Sequence, residues 1–156
     1  MIYEIFAIDR NDCFGNNNGL AWHYKEDLQY FKEKTLNKTC VMGEETFKSI
    51  LGYNNKPLPH RTSVIASLND YTYPGVETTH DIFGYLDAHK DEDIFVIGGK
   101  SIIELTYKLA DCLYITYIDA DHEGNVFLHL DLTNFELVEE TNKGVLYFRK
   151  YLRRDR

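Results

Sequence analysis

The hydrophobic pattern of this chain consists of short apolar runs separated by polar stretches with helical character. Ile2–Ile8, Thr39–Met42, Thr62–Ser67, Ile94–Ile97, Cys112–Asp119, Phe135–Glu140 and Val145–Tyr151 read as strands, with Gly75–Thr79 a weaker one. Between them, Lys25–Thr35, Glu44–Leu51, Asp81–His89 and Ser101–Leu109 read as helices. Strands and helices alternate through the first two thirds, which implies parallel β-α-β units with right-handed crossovers. The last two strands, joined around Thr141-Asn142-Lys143-Gly144, read as an antiparallel hairpin. The expected fold class is α/β: a three-layer, mostly parallel sheet flanked by helices, closed by an antiparallel C-terminal hairpin. No repeat, low-complexity linker or shift in composition divides the 156 residues, so one domain spanning 1–156 is expected.

Sheets of this kind bind ligands at the carboxyl ends of their strands, near a switch in strand order. Two such ends have the same make-up. Thr39–Met42 runs into Gly43-Glu44-Glu45-Thr46-Phe47, and Ile94–Ile97 runs into Gly98-Gly99-Lys100-Ser101. A glycine-led helix start presents free backbone N–H groups to a phosphate, but glycine serves a tight strand-to-helix turn equally well. Neither segment is a G-x-G-x-x-G or a P-loop, so both readings stay open.

Asp27 poses a similar choice. A loop from Gly19 feeds a helix in which Asp27, Leu28 and Phe31 share one stripe. A carboxylate facing apolar surface needs a hydrogen-bonding or cationic partner. An acidic first turn also complements the helix dipole with no further role. Arg61 follows the stiff turn Pro57-Leu58-Pro59, which would fix a guanidinium fork suited to a carboxylate.

Charge and cysteines narrow the classes. With 17 basic and 25 acidic residues the formal net charge is −8, which argues against a nucleic-acid partner. The one basic cluster, Lys150 to Arg156, reads as a solvated end. Cys13, Cys40 and Cys112 form neither a disulfide framework nor a metal-ligand pattern, so reduced thiols and no metal are expected. Ile2–Ile8 contains Glu4 and ends at Asp9, too short and too acidic for a signal peptide or membrane span. A cytoplasmic protein without a membrane partner is expected.

Taken together, these segments resemble the dihydrofolate reductases over nearly the whole chain. The motifs, in the family's order, are Ile5-x-Ala7, the Gly15-to-Trp22 loop, Asp27-Leu28-x-x-Phe31-Lys32, Thr35-Leu36-Asn37-Lys38 and Val41-Met42-Gly43-x-x-Thr46-Phe47-x-Ser49-Ile50. Pro57-Leu58-Pro59-x-Arg61, Val96-Ile97-Gly98-Gly99, Leu113-Tyr114-Ile115-Thr116 and Asp119-Ala120-Asp121-x-Glu123-Gly124 follow. The resemblance implies reduction of 7,8-dihydrofolate to 5,6,7,8-tetrahydrofolate by hydride transfer from NADPH to the pterin's C6, while N5 gains a proton. It implies a monomer with small-molecule partners.

By the same resemblance, Asp27 holds the pterin, Thr116 is its hydroxyl partner and Trp22 fixes a water nearby. Ile5, Leu28, Phe31, Ile50, Leu58 and Ile97 match the apolar walls around the substrate. Arg61 matches the arginine that holds the carboxylate of the glutamate tail. Ala7, Gly15 and Leu20 match the nicotinamide side. Gly43 and Thr46 match one phosphate site, and Gly98, Gly99, Ser101 and Ile102 the other. The Gly98–Gly99 peptide is cis by resemblance. Ser67 matches a position beside the 2′-phosphate.

Departures cluster at that last position. Glu44 and Glu45 stand where the family usually places basic residues, and Leu68 where a serine is frequent. Weakened NADPH preference with tolerance of NADH is one expectation. The other is that both glutamates face solvent while Lys48, Lys100 or another lysine meets the phosphate. Ala21 before Trp22, Ser101, Ile103 and Asn125 also depart from the usual pattern, which suggests looser gating of turnover. Two alternative functions are a same-fold pyrimidine reductase of flavin biosynthesis, which the Asp27–Arg61 pair opposes, and a folate- or nucleotide-binding homologue with little turnover.

Overall fold

The computed structural model describes residues 1–15 and 24–154. Its strands are β1 (Ile2–Asp9), β2 (Cys13–Gly15), β3 (Thr39–Gly43), β4 (Thr62–Ala66), β5 (Glu77–Thr79), β6 (Ile94–Gly98), β7 (Cys112–Ile118), β8 (Val126–Phe127), β9 (Phe135–Lys143) and β10 (Leu146–Arg153). Its helices are α1 (Lys25–Thr35), α2 (Glu44–Asn54), α3 (Ile82–Ala88) and α4 (Lys100–Thr106), the last continued by a 3-10 turn over Tyr107–Leu109.

The main sheet runs β5-β4-β3-β6-β1-β7-β10-β9. Neighbours from β5 through β7 pair in parallel, and β10 pairs antiparallel with both β7 and β9. The chain moves outward through β3, β4 and β5, then returns through β6 into the gap between β3 and β1. That reversal leaves a crevice at the carboxyl ends of β1, β3 and β6.

Two-residue periodicity explains the three layers. Successive side chains on a strand point to opposite faces. Ile2, Phe6, Val41, Val64, Ile94, Val96, Leu113 and Ile115 therefore gather on one face, with Ile82, Tyr85 and Leu86 of α3 and Ile103 of α4. The residues between them, Ile5, Cys40, Met42, Ile65, Phe95, Cys112 and Tyr114, gather on the other, with Phe47 and Ile50 of α2 and Tyr30 and Phe31 of α1. Both faces of the central strands are thus apolar, which is why these strands read as continuous apolar runs. Phe47 is fully buried and meets the rings of Tyr71 and Tyr73 edge-on, centroids 6.3 and 5.2 Å away.

Several expectations need correction. The hairpin turn is the two-residue Gly144-Val145 link, with Gly144 at φ +62°, so Thr141 to Lys143 extend β9 instead of forming the turn. The basic cluster is not a loose end: Lys150 to Arg153 lie in β10, and Arg153 reaches Asp111 and the Lys108 carbonyl. Helix α2 passes through Gly52 and stops where Asn55 takes a left-handed C-cap. Strands β2 and β8 pair in a separate two-stranded sheet. At three and two residues, they carry no pattern a sequence reading can detect. Among the described residues, no helix is long and apolar enough to cross a membrane.

On the α3–α4 face, β1 carries a fully buried acid, Glu4. Thr106 Oγ1 lies 2.6 Å from Glu4 Oε2 and 2.7 Å from the Ile102 carbonyl oxygen. One hydroxyl has one proton, and a carbonyl can only accept. The arrangement is complete when the threonine donates to Ile102 and a protonated Glu4 donates to the threonine. Burial raises the Glu4 carboxyl well above its ordinary value, with Thr106 pulling weakly the other way, which agrees with this geometry.

Two outcomes follow for stability. Phe47→Ala should cost about 3–5 kcal/mol in chemical denaturation, as a buried aromatic leaves a cavity; a loss under about 1 kcal/mol would mean that the site collapses freely. Because Glu4 titrates higher in the folded than in the unfolded chain, its contribution to stability is full below about pH 4.3 and declines as pH rises toward its folded value. Glu4→Gln, which mimics the protonated acid, should therefore gain stability over wild type from pH 4 to pH 7.5. A stability gap that does not change with pH would contradict a neutral Glu4.

Candidate active site

A cleft of about 710 Å³ opens at the carboxyl ends of the central strands, within the size range of small-molecule sites. One wall is α1, whose Asp27, Leu28 and Phe31 all face it, on the stripe that their spacing predicts. Leu28 is 48% exposed, so the apolar wall is open for contact. Thr46, Ser49 and Ile50 of α2, with Leu58 beyond it, form the facing wall. The floor comes from Ile5 and Ala7 on β1, Ile97 on β6 and Thr116 on β7. Ile5 and Ile50 also belong to the core packing.

Asp27 is the acid that this apolar cleft isolates. Burial raises its carboxyl above the ordinary value, and a hydrogen bond from the Thr116 hydroxyl partly offsets the rise. Thr116 is itself buried, and β7 pairs it with Ala7 on β1. A carboxylate has about four acceptor positions, so one hydroxyl leaves capacity for a ligand with paired N–H groups.

The start of α1 is tied down by a relay of side chains. Asp9, fully buried at the end of β1, accepts from the backbone N–H groups of Asn11 (2.8 Å) and Cys13 (2.9 Å). Its other oxygen lies 3.0 Å from the His122 backbone nitrogen and 3.1 Å from His122 Nδ1. With Nδ1 donating to the carboxylate, Nε2 accepts from the Tyr24 hydroxyl at 2.8 Å. Tyr24 is the N-cap of α1. Burial pushes the Asp9 carboxyl up, but its bonds from Cys13, Asn11 and His122 outweigh this and hold it below the ordinary value.

Across the cleft, the two glycine turns touch. A Cβ on Gly43 would meet Ile102 Cγ1 at 3.2 Å and the Gly99 nitrogen at 3.8 Å. Gly98 has φ +141°, a conformation open to glycine, and the Gly98–Gly99 peptide is cis. The N-cap of α2 is Gly43, which has no side chain to cap the first turn, so among the described residues the leading N–H groups lack a cap and suit a ligand. Gly43, Thr46, Gly98, Gly99, Ser101 and Ile102 all line this stretch, and Ala7, Gly15 and Phe14 continue it toward Asp27. Close backbone approach and uncapped N–H groups fit the phosphates of a dinucleotide.

The structure brings together nearly all the expected residues it describes. Arg61 is the exception: it does not line the cleft. Its Nη1 donates to Thr35 Oγ1 at 3.1 Å, and Thr35 in turn donates to the Phe31 carbonyl at 2.8 Å, so the end of α1 holds the guanidinium behind the wall. Its Nε is buried without a hydrogen-bond partner among the described residues. Trp22 and Leu20 lie outside the described residues.

The two glutamates part ways. Glu45 is exposed, with 75% of its side chain accessible. Glu44 instead bonds Lys48 Nζ (2.7 Å), Ser67 Oγ (2.7 Å) and Asn69 Nδ2 (3.2 Å), which push its carboxyl down to about 2. The expectation was that both acids face solvent while Lys48, Lys100 or another lysine meets the phosphate; for Glu44 the first part fails, because Lys48, Ser67 and Asn69 hold its side chain. Asn69 escaped the sequence reading, although it lies just past the end of β4, where strand-end reasoning would have led. Phe14, edge-on to Phe6 at 6.2 Å, sits on a strand too short to show a pattern.

The sequence profile of the dihydrofolate reductase family matches residues 1–148. The dihydrofolate reductase of Bacillus subtilis is 38% identical over 141 residues, covering 88% of this chain and 82% of that protein. That of Mycoplasma genitalium is 33% identical over 162 residues, covering 96% and 98%. A solved structure of dihydrofolate reductase from Enterococcus faecalis, complexed with NADP(H) and RAB-propyl, matches with a TM-score of 0.89 at 29% identity, over 99% of this chain and 97% of that one. Sequence, fold and cleft agree, and the chain belongs to the dihydrofolate reductase family.

Proposed function

We propose that this chain reduces 7,8-dihydrofolate to 5,6,7,8-tetrahydrofolate with NADPH as reductant. The observation that carries this reading is Asp27, an isolated carboxylate on the wall of an apolar cleft, paired with Thr116 and facing two glycine turns. The Asp27 oxygens accept from the N–H and amino edge of the pterin, the paired geometry that a carboxylate suits. Thr116 fixes the plane of that carboxylate. In this apolar cleft, the negative charge favours positive charge as N5 takes up its proton. When bound, NADPH supplies the hydride that goes to C6.

The remaining residues bind and orient. Ile5, Leu28, Phe31, Ile50, Leu58 and Ile97 enclose the flat substrate and exclude water. Arg61, partly exposed beside the end of α1, is the donor for the carboxylate of the glutamate tail. Ala7 and Gly15 border the nicotinamide, and Gly43, Thr46, Gly98, Gly99, Ser101 and Ile102 hold the phosphates. On sequence grounds, Trp22 fixes a water near the pterin and Leu20 completes the nicotinamide side. The same reading makes the protein a cytoplasmic, one-domain monomer with no nucleic-acid partner. The pyrimidine reductase and low-turnover binding alternatives are not favoured, since the matching family and its relatives are dihydrofolate reductases.

Asp27→Asn should lower kcat/KM for dihydrofolate by about 100-fold or more, the scale of a lost electrostatic or proton-handling group. The same variant should gain stability relative to wild type as pH rises above about 4, because the raised Asp27 carboxyl costs the folded state more as it ionises. Near-wild-type turnover would remove Asp27 from the chemistry. Arg61→Ala should raise KM for dihydrofolate by about 10- to 100-fold with little change in kcat, the signature of lost uniform binding. A dihydropterin without the glutamate should not distinguish the two proteins; equal losses on both substrates would assign Arg61 a structural role instead.

A further inference from the structure

Read across the sheet at its carboxyl edge, the cleft passes from Thr116 on β7 to Ala7 on β1, Gly98 on β6, Gly43 on β3 and Ser67 after β4. A dinucleotide with its nicotinamide near Ala7 and its phosphates at the two glycine turns ends its adenosine ribose at Glu44, Ser67 and Asn69. All three line the cleft.

A 2′-phosphate at this end needs cations and O–H or N–H donors. Lys48, Ser67 and Asn69 are three groups that could serve, and each is directed at Glu44, while the exposed His80 ring turns its Nδ1 to the Ser67 carbonyl at 2.7 Å. Lys48 Nζ bonds Glu44 Oε2 at 2.7 Å, approaches Glu45 at 3.9 Å and rests 4.9 Å from the centre of the Tyr71 ring. Ser67 has one hydroxyl proton and gives it to Glu44 Oε1 at 2.7 Å, while its oxygen accepts from the Asn69 backbone N–H at 3.0 Å. Asn69 Nδ2 bonds the same Oε1 at 3.2 Å. A carboxylate thus stands where the phosphate's donors converge. A phosphate monoester carries about −1.5 to −2 near neutrality, so it would meet Glu44 and Glu45 with Lys48 as the cation held between them.

A ribose hydroxyl meets a different site. Of about four acceptor positions on a carboxylate, Glu44 uses three on Lys48, Ser67 and Asn69, which leaves one on Oε2. A 2′-hydroxyl can donate to that position, as acidic side chains do in sheets that bind NAD. We infer that Glu44 is a specificity-determining residue that reads the adenosine ribose as a free 2′-hydroxyl, so that this reductase accepts NADH about as readily as NADPH. The inference extends the proposed reaction and rests on the same cleft.

The test compares NADPH with NADH at saturating dihydrofolate in wild type, Glu44→Gln and Glu45→Gln. Calorimetric binding of NADP⁺ and NAD⁺ to the same proteins provides a readout independent of turnover. Wild type should show kcat/KM values for the two cofactors within about tenfold, and Glu44→Gln should move the ratio toward NADPH by about tenfold or more through KM and Kd. Glu45→Gln, which removes an equal charge from an exposed side chain, should move it less. A larger NADPH preference in wild type that Glu44→Gln leaves unchanged would overturn the inference. Should neither cofactor be oxidised, the reductase reading fails, and the ratio of the two dissociation constants still decides the role of Glu44.

Discussion

The arrangement on which the rest depends is a carboxylate held in an apolar cleft with a hydroxyl as its described partner. Left alone, Asp27 would protonate or turn to water, since burial favours its neutral form. It stays in place because α1 is fixed at both ends. Tyr24, His122 and Asp9 link its start to the end of β1, and Thr35 at its close takes a bond from Arg61. The stability lost at Asp27 is made good by packing elsewhere, the usual relation between a reactive site and its scaffold.

That scaffold follows from strand alternation. The apolar central strands need helices on both faces, and α1 and α2 cover one while α3 and α4 cover the other. Helices on the faces leave the carboxyl ends of the strands uncovered. The return of β6 between β1 and β3 then separates the loops that would close the crevice. The two acids of β1 show the same rule at work. Glu4 points into the α3–α4 core, where it is neutral and bonded to Thr106. Asp9, at the strand's carboxyl end, is ionised and organises the loops around the cleft.

Local features were the legible part of the sequence. Helix α1 has the predicted limits, and the main strands fall within a few residues of theirs, because apolar runs and glycine turns are short-range signals. The stripe of Asp27, Leu28 and Phe31 is equally local. What depends on tertiary register was hidden. Apart from the family resemblance, Thr116 reads as any strand threonine, because its meeting with Asp27 depends on how β7 and α1 pack. Glu44 meets Ser67 and Asn69 only because β3 and β4 pair in register, Gly43 opposite Ala66. The basic run at the C-terminus read as solvated because its charge hid the continuation of β10 past Tyr151.

The measurement that bears most directly on the central claim follows NADPH absorbance on mixing with dihydrofolate, with the folate product identified in the same samples. The account predicts one NADPH oxidised for each tetrahydrofolate formed. Tight binding of dihydrofolate with no oxidation of NADPH or NADH would contradict it.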